Sequence, residues 1–162
     1  MGAGKTTIGK QLAEKLQLKV IDTDNHIEEK DGRKISQIFK ENGESYFRDL
    51  ESEVLRSLPT ENVIVTTSGG IVMMESNIEW MKQEGIIIYL HAEYNMLMKR
   101  LHGDQTRPLL QQRPTDQIKD LFEKRMPLYN QADITIWTAN KTELEVVEEI
   151  VQRLKDDKLA KL

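Results

Sequence analysis

Hydrophobic positions recur along this chain at two spacings. Short, nearly continuous apolar runs occupy residues 18–22 (LKVID), 62–68 (NVIVTTS), 85–91 (GIIIYLH) and 133–138 (DITIWT). Runs this short, rich in β-branched residues, predict strands covered on both faces, as in a parallel sheet. Between them the spacing becomes helical. Ile8, Leu12 and Leu16 form one stripe. Ile35, Ile38 and Phe39 form a second, stopped by ENG at 41–43. Phe47, Leu50, Val54, Leu55 and Leu58 form a third, ended by Pro59, and Leu144, Val147, Ile150, Val151 and Leu154 a last one. Strands alternating with amphipathic helices predict βα units: an α/β fold whose parallel sheet carries helices on both faces.

Composition narrows the class. The 162 residues suit one domain, 1–162, with a single sizeable core. Charged residues at 31% and hydrophobic residues at 38% describe a globular chain rather than a disordered one. A net charge of −4 gives no reason to expect binding to nucleic acid or to an anionic membrane. The chain has no cysteine, which excludes disulfides and thiolate chemistry. It has no apolar run of bilayer length. Together these predict a cytoplasmic protein. His26, His91 and His102 lack metal-ligand spacing and read as structural or solvated. Met73, Met74, Met81, Met96 and Met98 read as core filling, and Trp80 and Trp137 as packing residues. Residues 102–115 (HGDQTRPLLQQRPT) predict a long loop, which in a compact domain is functional or disordered.

The first ten residues, MGAGKTTIGK, contain most of a Walker A pattern, G-x-x-x-x-G-K-[ST], running straight into a helix. In such a loop the backbone N–H groups of Gly2, Ala3, Gly4, Lys5, Thr6 and Thr7 converge on phosphate. The helix dipole adds positive potential. Lys5 would reach the β/γ-phosphates of a nucleotide, and the Thr6 hydroxyl would hold Mg²⁺. The alternative is a flexible glycine-rich start to a helix. Asp22 and Asp24, in IDTD at 21–24, fall at the C-terminal end of a predicted strand, where open α/β sheets bind ligands. In an extended segment both carboxylates would point the same way, one toward Mg²⁺ and one toward a substrate hydroxyl. The alternative is a turn in which Asp24 or Asn25 caps the next helix. Arg48, beside Phe47, can present a fork to a carboxylate or form a surface ion pair with Asp49 or Glu51. TSGG at 67–70 lets a ligand approach backbone at Gly69 and Gly70, or simply ends a strand. Arg107 falls in the long loop and Arg125 at a helix end stopped by Pro127. Taken singly, each of these arginines reads as solvated.

In order, GAGKTTIGKQLAEKL, DTDNHIE, IFKENGESYFRDLESEVL, TSGGIV, IIIYL, TRPLL and KRMPLY resemble the shikimate kinase family over nearly the whole chain. The resemblance implies a P-loop NTPase fold, three-layer α/β/α, with a parallel sheet of strand order 2-3-1-4-5. It implies transfer of the γ-phosphoryl of ATP to the 3-hydroxyl of shikimate, with Mg²⁺ as cofactor and a monomer as the working unit. The loop residues Gly2 to Thr7 would hold ATP, with Arg100 near the adenine and Arg107 closing on the phosphates from a lid over about 102–115. Thr6 and Asp22 would hold the metal. Asp24, Arg48, Gly69, Gly70 and Arg125 would bind shikimate, and Asp24, Lys5 and Arg107 would carry catalysis.

Two features depart from the family pattern. Ser68 stands where the family usually has the first of three glycines. The first strand and the first Walker A glycine have no counterpart in this chain. The expected sheet therefore has an open place between NVIVTTS and IIIYLH, and Met1 is expected to be an internal methionine of a longer reading frame. Two other readings remain beside an active shikimate kinase: a non-catalytic relative that binds nucleotide or shikimate, and a kinase for another small hydroxy acid.

Overall fold

A computed structural model describes residues 3–101 and 115–160. In chain order the elements are α1 (Lys5–Leu16), β1 (Lys19–Asp22), α2 (Thr23–Asp31), α3 (Ile35–Ser57), β2 (Val63–Thr66) and a 3₁₀ turn (Ile71–Met73). They continue with α4 (Glu75–Glu84), β3 (Ile88–His91), α5 (Tyr94–Leu101), α6 (Thr115–Tyr129), β4 (Ile134–Trp137) and α7 (Glu143–Ala160). The four apolar runs are the four strands.

Among the described residues the strands form two parallel pairs. β1 pairs with β2, Lys19 opposite Val63 through Asp22 opposite Thr66. β3 pairs with β4, Ile88 opposite Ile134 through His91 opposite Trp137. A groove separates the pairs, bordered by Val63, Val65 and Thr67 on one side and Ile87 and Ile88 on the other. It continues into a cleft with an open volume of about 740 Å³ that reaches Lys5, Ser68 and Gly69. The halves match orders 2-3 and 4-5 of the expected sheet, with the groove in place of its first strand. Burial follows from this. Ile134 and Ile136 of β4 are 2% and 0% exposed, whereas Val63, Ile64, Val65, Ile88 and Tyr89, along the groove, stay half-buried.

Helices cover both faces. Ile8 and Leu12 of α1, Leu97 of α5 and Val146, Val147 and Ile150 of α7 pack with Leu90, Ile134 and Ile136 in one core, joined by Ile64. Ile27 of α2 and Ile38, Phe47, Leu50 and Val54 of α3 form the other, joined by Ile21 and Val65. Ile64 and its neighbour Val65 face opposite cores because successive strand side chains alternate. α1 lies close on β2: a Cβ on Gly9 would overlap the Thr66 methyl group.

Of the two local breakers, one acts as its sequence context predicts and one does not. ENG breaks the helix as expected: Gly43 is non-helical (φ 81°, ψ 179°), and α3 is two helical segments that meet at a kink there. Arg33 ties the first segment to α2 by bonding Asp31, Glu41 and Asn42, and Tyr46 ties the second by donating to Asp31 Oδ2 at 3.0 Å. Pro127 does not stop α6, which runs on to Tyr129. Proline removes one donor, but the next turn closes again through Asn130 N–H to the Met126 carbonyl, 3.0 Å. Two packing expectations fail. Met73 and Met74 are 43% and 37% exposed, and Trp137 is 57% exposed. Met73 and Met74 close the 3₁₀ turn at the surface, and Trp137 occupies the outward face of β4 against His91.

Gly9→Ala is expected to push α1 off β2 and to destabilise the fold by about 1–3 kcal/mol, the usual cost of overpacking, despite alanine's better helix propensity. Urea unfolding measures this; a stabilised variant would contradict the close approach.

Candidate active site

The phosphate loop is built by the start of α1. Gly4 caps the helix in the left-handed region (φ 81°), where a side chain would strain the backbone. Its carbonyl accepts the first helical bond from Ile8 N–H at 2.9 Å. The N–H groups of the first turn lack intrahelical partners by geometry, and the helix dipole makes this end positive. Lys5 and Ala3 line the cleft together with Ser68, Gly69 and Tyr129. Thr6 and Thr7 are exposed at the mouth.

Asp22 joins this loop to the sheet. Its Oδ2 accepts from Thr6 Oγ1 at 3.1 Å and from Thr66 Oγ1 at 2.8 Å. Its Oδ1 accepts from the N–H groups of Asp24 at 3.1 Å and Asn25 at 3.4 Å. Asp22 is thus the N-cap of α2; the sequence alternative had placed that cap at Asp24 or Asn25. Strand geometry ends at Asp22, so Asp24 sits in the first turn of α2. The two carboxylates are related by a helix start, not by alternation along a strand. Three oxygens, from Thr6, Asp22 and Thr66, converge at the loop. That hard-oxygen set suits Mg²⁺, which takes few protein ligands and completes its shell with water and phosphate. Among the described residues no cluster of three or more His, Cys, Asp or Glu side chains could hold a metal by itself.

Two buried arginines lie behind the cleft wall, Arg48 against Gly70 and Arg125 beside Tyr129. Arg48 and Arg125 are 7% and 2% exposed. Arg48 Nη1 donates to Glu51 Oε2 at 2.8 Å and Nη2 to Glu44 Oε1 at 3.1 Å. The guanidinium rests on the Phe47 ring, 5.2 Å from its centroid. The ion pair with Glu51 foreseen as a surface contact is in fact buried, with Glu51 0% exposed. Gly70 leaves space for this fork, since a Cβ there would overlap both terminal nitrogens of Arg48. Arg125 lies close enough to Arg48 for their charges to interact. Burial, above all, lowers its pKa; Tyr129 opposes the shift and Arg48's charge adds to it. Tyr129, whose own pKa is raised by burial, donates to the Gly69 carbonyl at 2.6 Å and stacks on Tyr89. Arg48 Nε and Arg125 Nε and Nη2 are buried without a hydrogen-bond partner among the described residues. Buried cationic N–H groups left in this state favour an anionic ligand, because an unmet charged donor costs more than an unmet neutral one.

The structure therefore gathers Ala3, Gly4, Lys5, Thr6, Thr7, Asp22 and Asp24 at one end of the site and Arg48, Gly69, Gly70 and Arg125 at the other. Gly2, Arg107 and residues 102–114 lie outside the described residues, and Arg100 is placed on α5 by its backbone alone. Sequence reasoning missed Thr66, Tyr129 and the buried role of Glu51. Thr66 carried a usable signal, a hydroxyl at the C-terminal end of a strand. Glu51 carried one too, its i, i+3 relation to Arg48.

A helix-capping phosphate loop beside a parallel sheet, facing an anion pocket, defines a P-loop small-molecule kinase. The shikimate kinase family model matches residues 1–155. A shikimate kinase of Bacillus cytotoxicus is 51% identical over 154 residues, covering 95% of this chain and 93% of that protein. One of Bacillus cereus is 47% identical over 156 residues, covering 96% and 94%. A solved shikimate kinase from Acinetobacter baumannii, in complex with shikimate, superposes with a TM-score of 0.92 at 39% identity, covering 98% of this chain and 90% of its own. One from Aquifex aeolicus gives 0.84 at 35% identity, covering 98% and 94%. This chain belongs to the shikimate kinase family.

Glu51→Ala should leave Arg48 buried without its main counter-charge and cost about 3–5 kcal/mol of stability. Glu44→Ala, at the partly exposed rim, should cost under about 1 kcal/mol. Urea unfolding of the two variants checks the difference; equal losses would contradict the buried pairing.

Proposed function

We propose that the protein transfers the γ-phosphoryl group of ATP to the 3-hydroxyl of shikimate, a step toward chorismate and the aromatic amino acids. The observation that carries this is the buried Arg48–Arg125 pair, with three guanidinium nitrogens unmet, behind the Gly69–Gly70 turn and Tyr129, whose Gly69 and Tyr129 line one cleft with Lys5. A substrate with one carboxylate and several hydroxyls fits that arrangement, and ATP fits the loop.

In this reading Arg48 and Arg125 take the shikimate carboxylate, and the Gly69–Gly70 backbone lies along the ring. Asp24 grips the hydroxyls and accepts the proton of the 3-hydroxyl. The freed oxygen attacks the γ-phosphorus, the bond to the β-phosphate oxygen breaks, and ADP leaves. Lys5 and the amides of Gly2 to Thr7 hold the phosphates in line. Thr6 and Asp22 would hold Mg²⁺, which when bound would neutralise charge on the phosphates. Arg100 and Arg107 keep the roles the resemblance gives them, at the adenine and on the reacting phosphates. Such a site works by positioning and charge more than by covalent chemistry. The proposal takes the protein as a cytoplasmic monomer. Among the described residues no helix is long and apolar enough to cross a membrane.

A coupled assay of ADP release should show turnover with shikimate and little without it. Asp24→Asn should lower kcat by at least about 100-fold, the low end for a positioned proton acceptor, while ATP still binds. Arg48→Ala should chiefly raise the KM for shikimate. ADP release that ignores shikimate would contradict the function, and unchanged turnover in Asp24→Asn would remove that residue from the mechanism.

A further inference from the structure

The Ser68 hydroxyl touches both parts of the carboxylate pocket. It donates to Glu51 Oε1 and accepts the Gly70 N–H at 3.2 Å. A serine hydroxyl has one proton to give and lone pairs to receive, so both bonds form together. The Glu51 carboxylate is 0% exposed and uses its other oxygen for Arg48. Among the described residues, Ser68 is the donor that meets Oε1. The Arg48 fork in turn lies against Gly70 in the space a Cβ would fill. Ser68, Glu51, Arg48 and Gly70 therefore close a ring of three hydrogen bonds and one packing contact. Ser68 is not among the positive-φ residues, so removing its hydroxyl does not strain the backbone.

We propose that Ser68 is a positioning residue for substrate binding: its hydroxyl bridges Glu51 and the Gly70 amide, and so fixes the Arg48 guanidinium for the substrate carboxylate. The serine that departs from the family's glycine run thus tightens the pocket. The proposal rests on the carboxylate-binding reading of Arg48. Without the hydroxyl, Glu51 Oε1 loses its donor and the Gly70 peptide loses its acceptor. Arg48 is then held by one end of a looser carboxylate.

Ser68→Ala tests this in two ways. In the ligand-free protein, the side-chain ¹⁵N resonance of Arg48 Nε should move, and Ser68→Thr should restore it. With shikimate as the titrant, Ser68→Ala should raise Kd and KM about five- to tenfold, the worth of one ordinary hydrogen bond, because the lost contact acts on the ligand only through Glu51 and Arg48. The KM for ATP and kcat should stay within about twofold. In a Glu51→Gln background the same change should add less than about twofold, because the effect passes through Glu51. An unmoved Arg48 resonance, an unchanged shikimate KM, a matching loss of ATP affinity, or full additivity with Glu51→Gln would each overturn the proposal. Wild-type protein that binds no shikimate would instead sink the functional reading, and the Arg48 resonance would still decide the role of Ser68.

Discussion

Two guanidinium groups are held in one buried patch, and one fully buried carboxylate pairs with one of them. Arg48 and Arg125 are almost out of solvent, and Glu51 is entirely so. Burying a charge is costly unless it is paired and its hydrogen bonds are met. Arg48 is paired through Glu51 and Glu44. Arg125 has Tyr129 beside it and two nitrogens still unmet. The free protein is thus built with a deficit of hydrogen-bond acceptors at one place. A bound carboxylate supplies them, so recognition and local stability share one origin.

In the proposed function, the rest of the fold brings that patch to the nucleotide. Arg48 comes from α3 beyond the Gly43 bend, Arg125 from α6, and the Gly69–Gly70 turn from the end of β2. Each lies at or near the C-terminal side of the parallel strands, where ligands bind in open α/β sheets. Tyr129 ties α6 to the glycine turn through the Gly69 carbonyl. Asp22 ties α1, β2 and α2 together through Thr6, Thr66 and the first amides of α2. In that proposal, acceptor and phosphate donor are positioned by rigid elements rather than by one loop, as in-line transfer requires.

Much of this was legible in the sequence, for reasons that differ by residue. The four strands showed as short apolar runs, and the open place between β2 and β3 followed from the family resemblance. Lys5 and Thr6 showed because a phosphate loop is local in sequence. Arg48 and Arg125 were visible as candidates, but nothing adjacent to either says that it is buried. Their burial comes from α3, α6 and β2 meeting in space. Glu51 was visible as an i, i+3 partner, yet the same spacing describes any exposed helical pair. Thr66 joins the site because Gly9 admits α1 close to β2, which no local pattern reports. Gly43 breaks α3 where local propensity says it should, whereas Pro127, read as a stop for the same reason, lies inside α6.

The most direct test of the account is calorimetric titration of the protein with shikimate and with its methyl ester. The ester keeps the ring and every hydroxyl but has no negative charge for Arg48 and Arg125. The account predicts that shikimate binds at least about 100-fold more tightly, as expected when a charged, doubly hydrogen-bonded contact is lost. Equal affinity for acid and ester would contradict it.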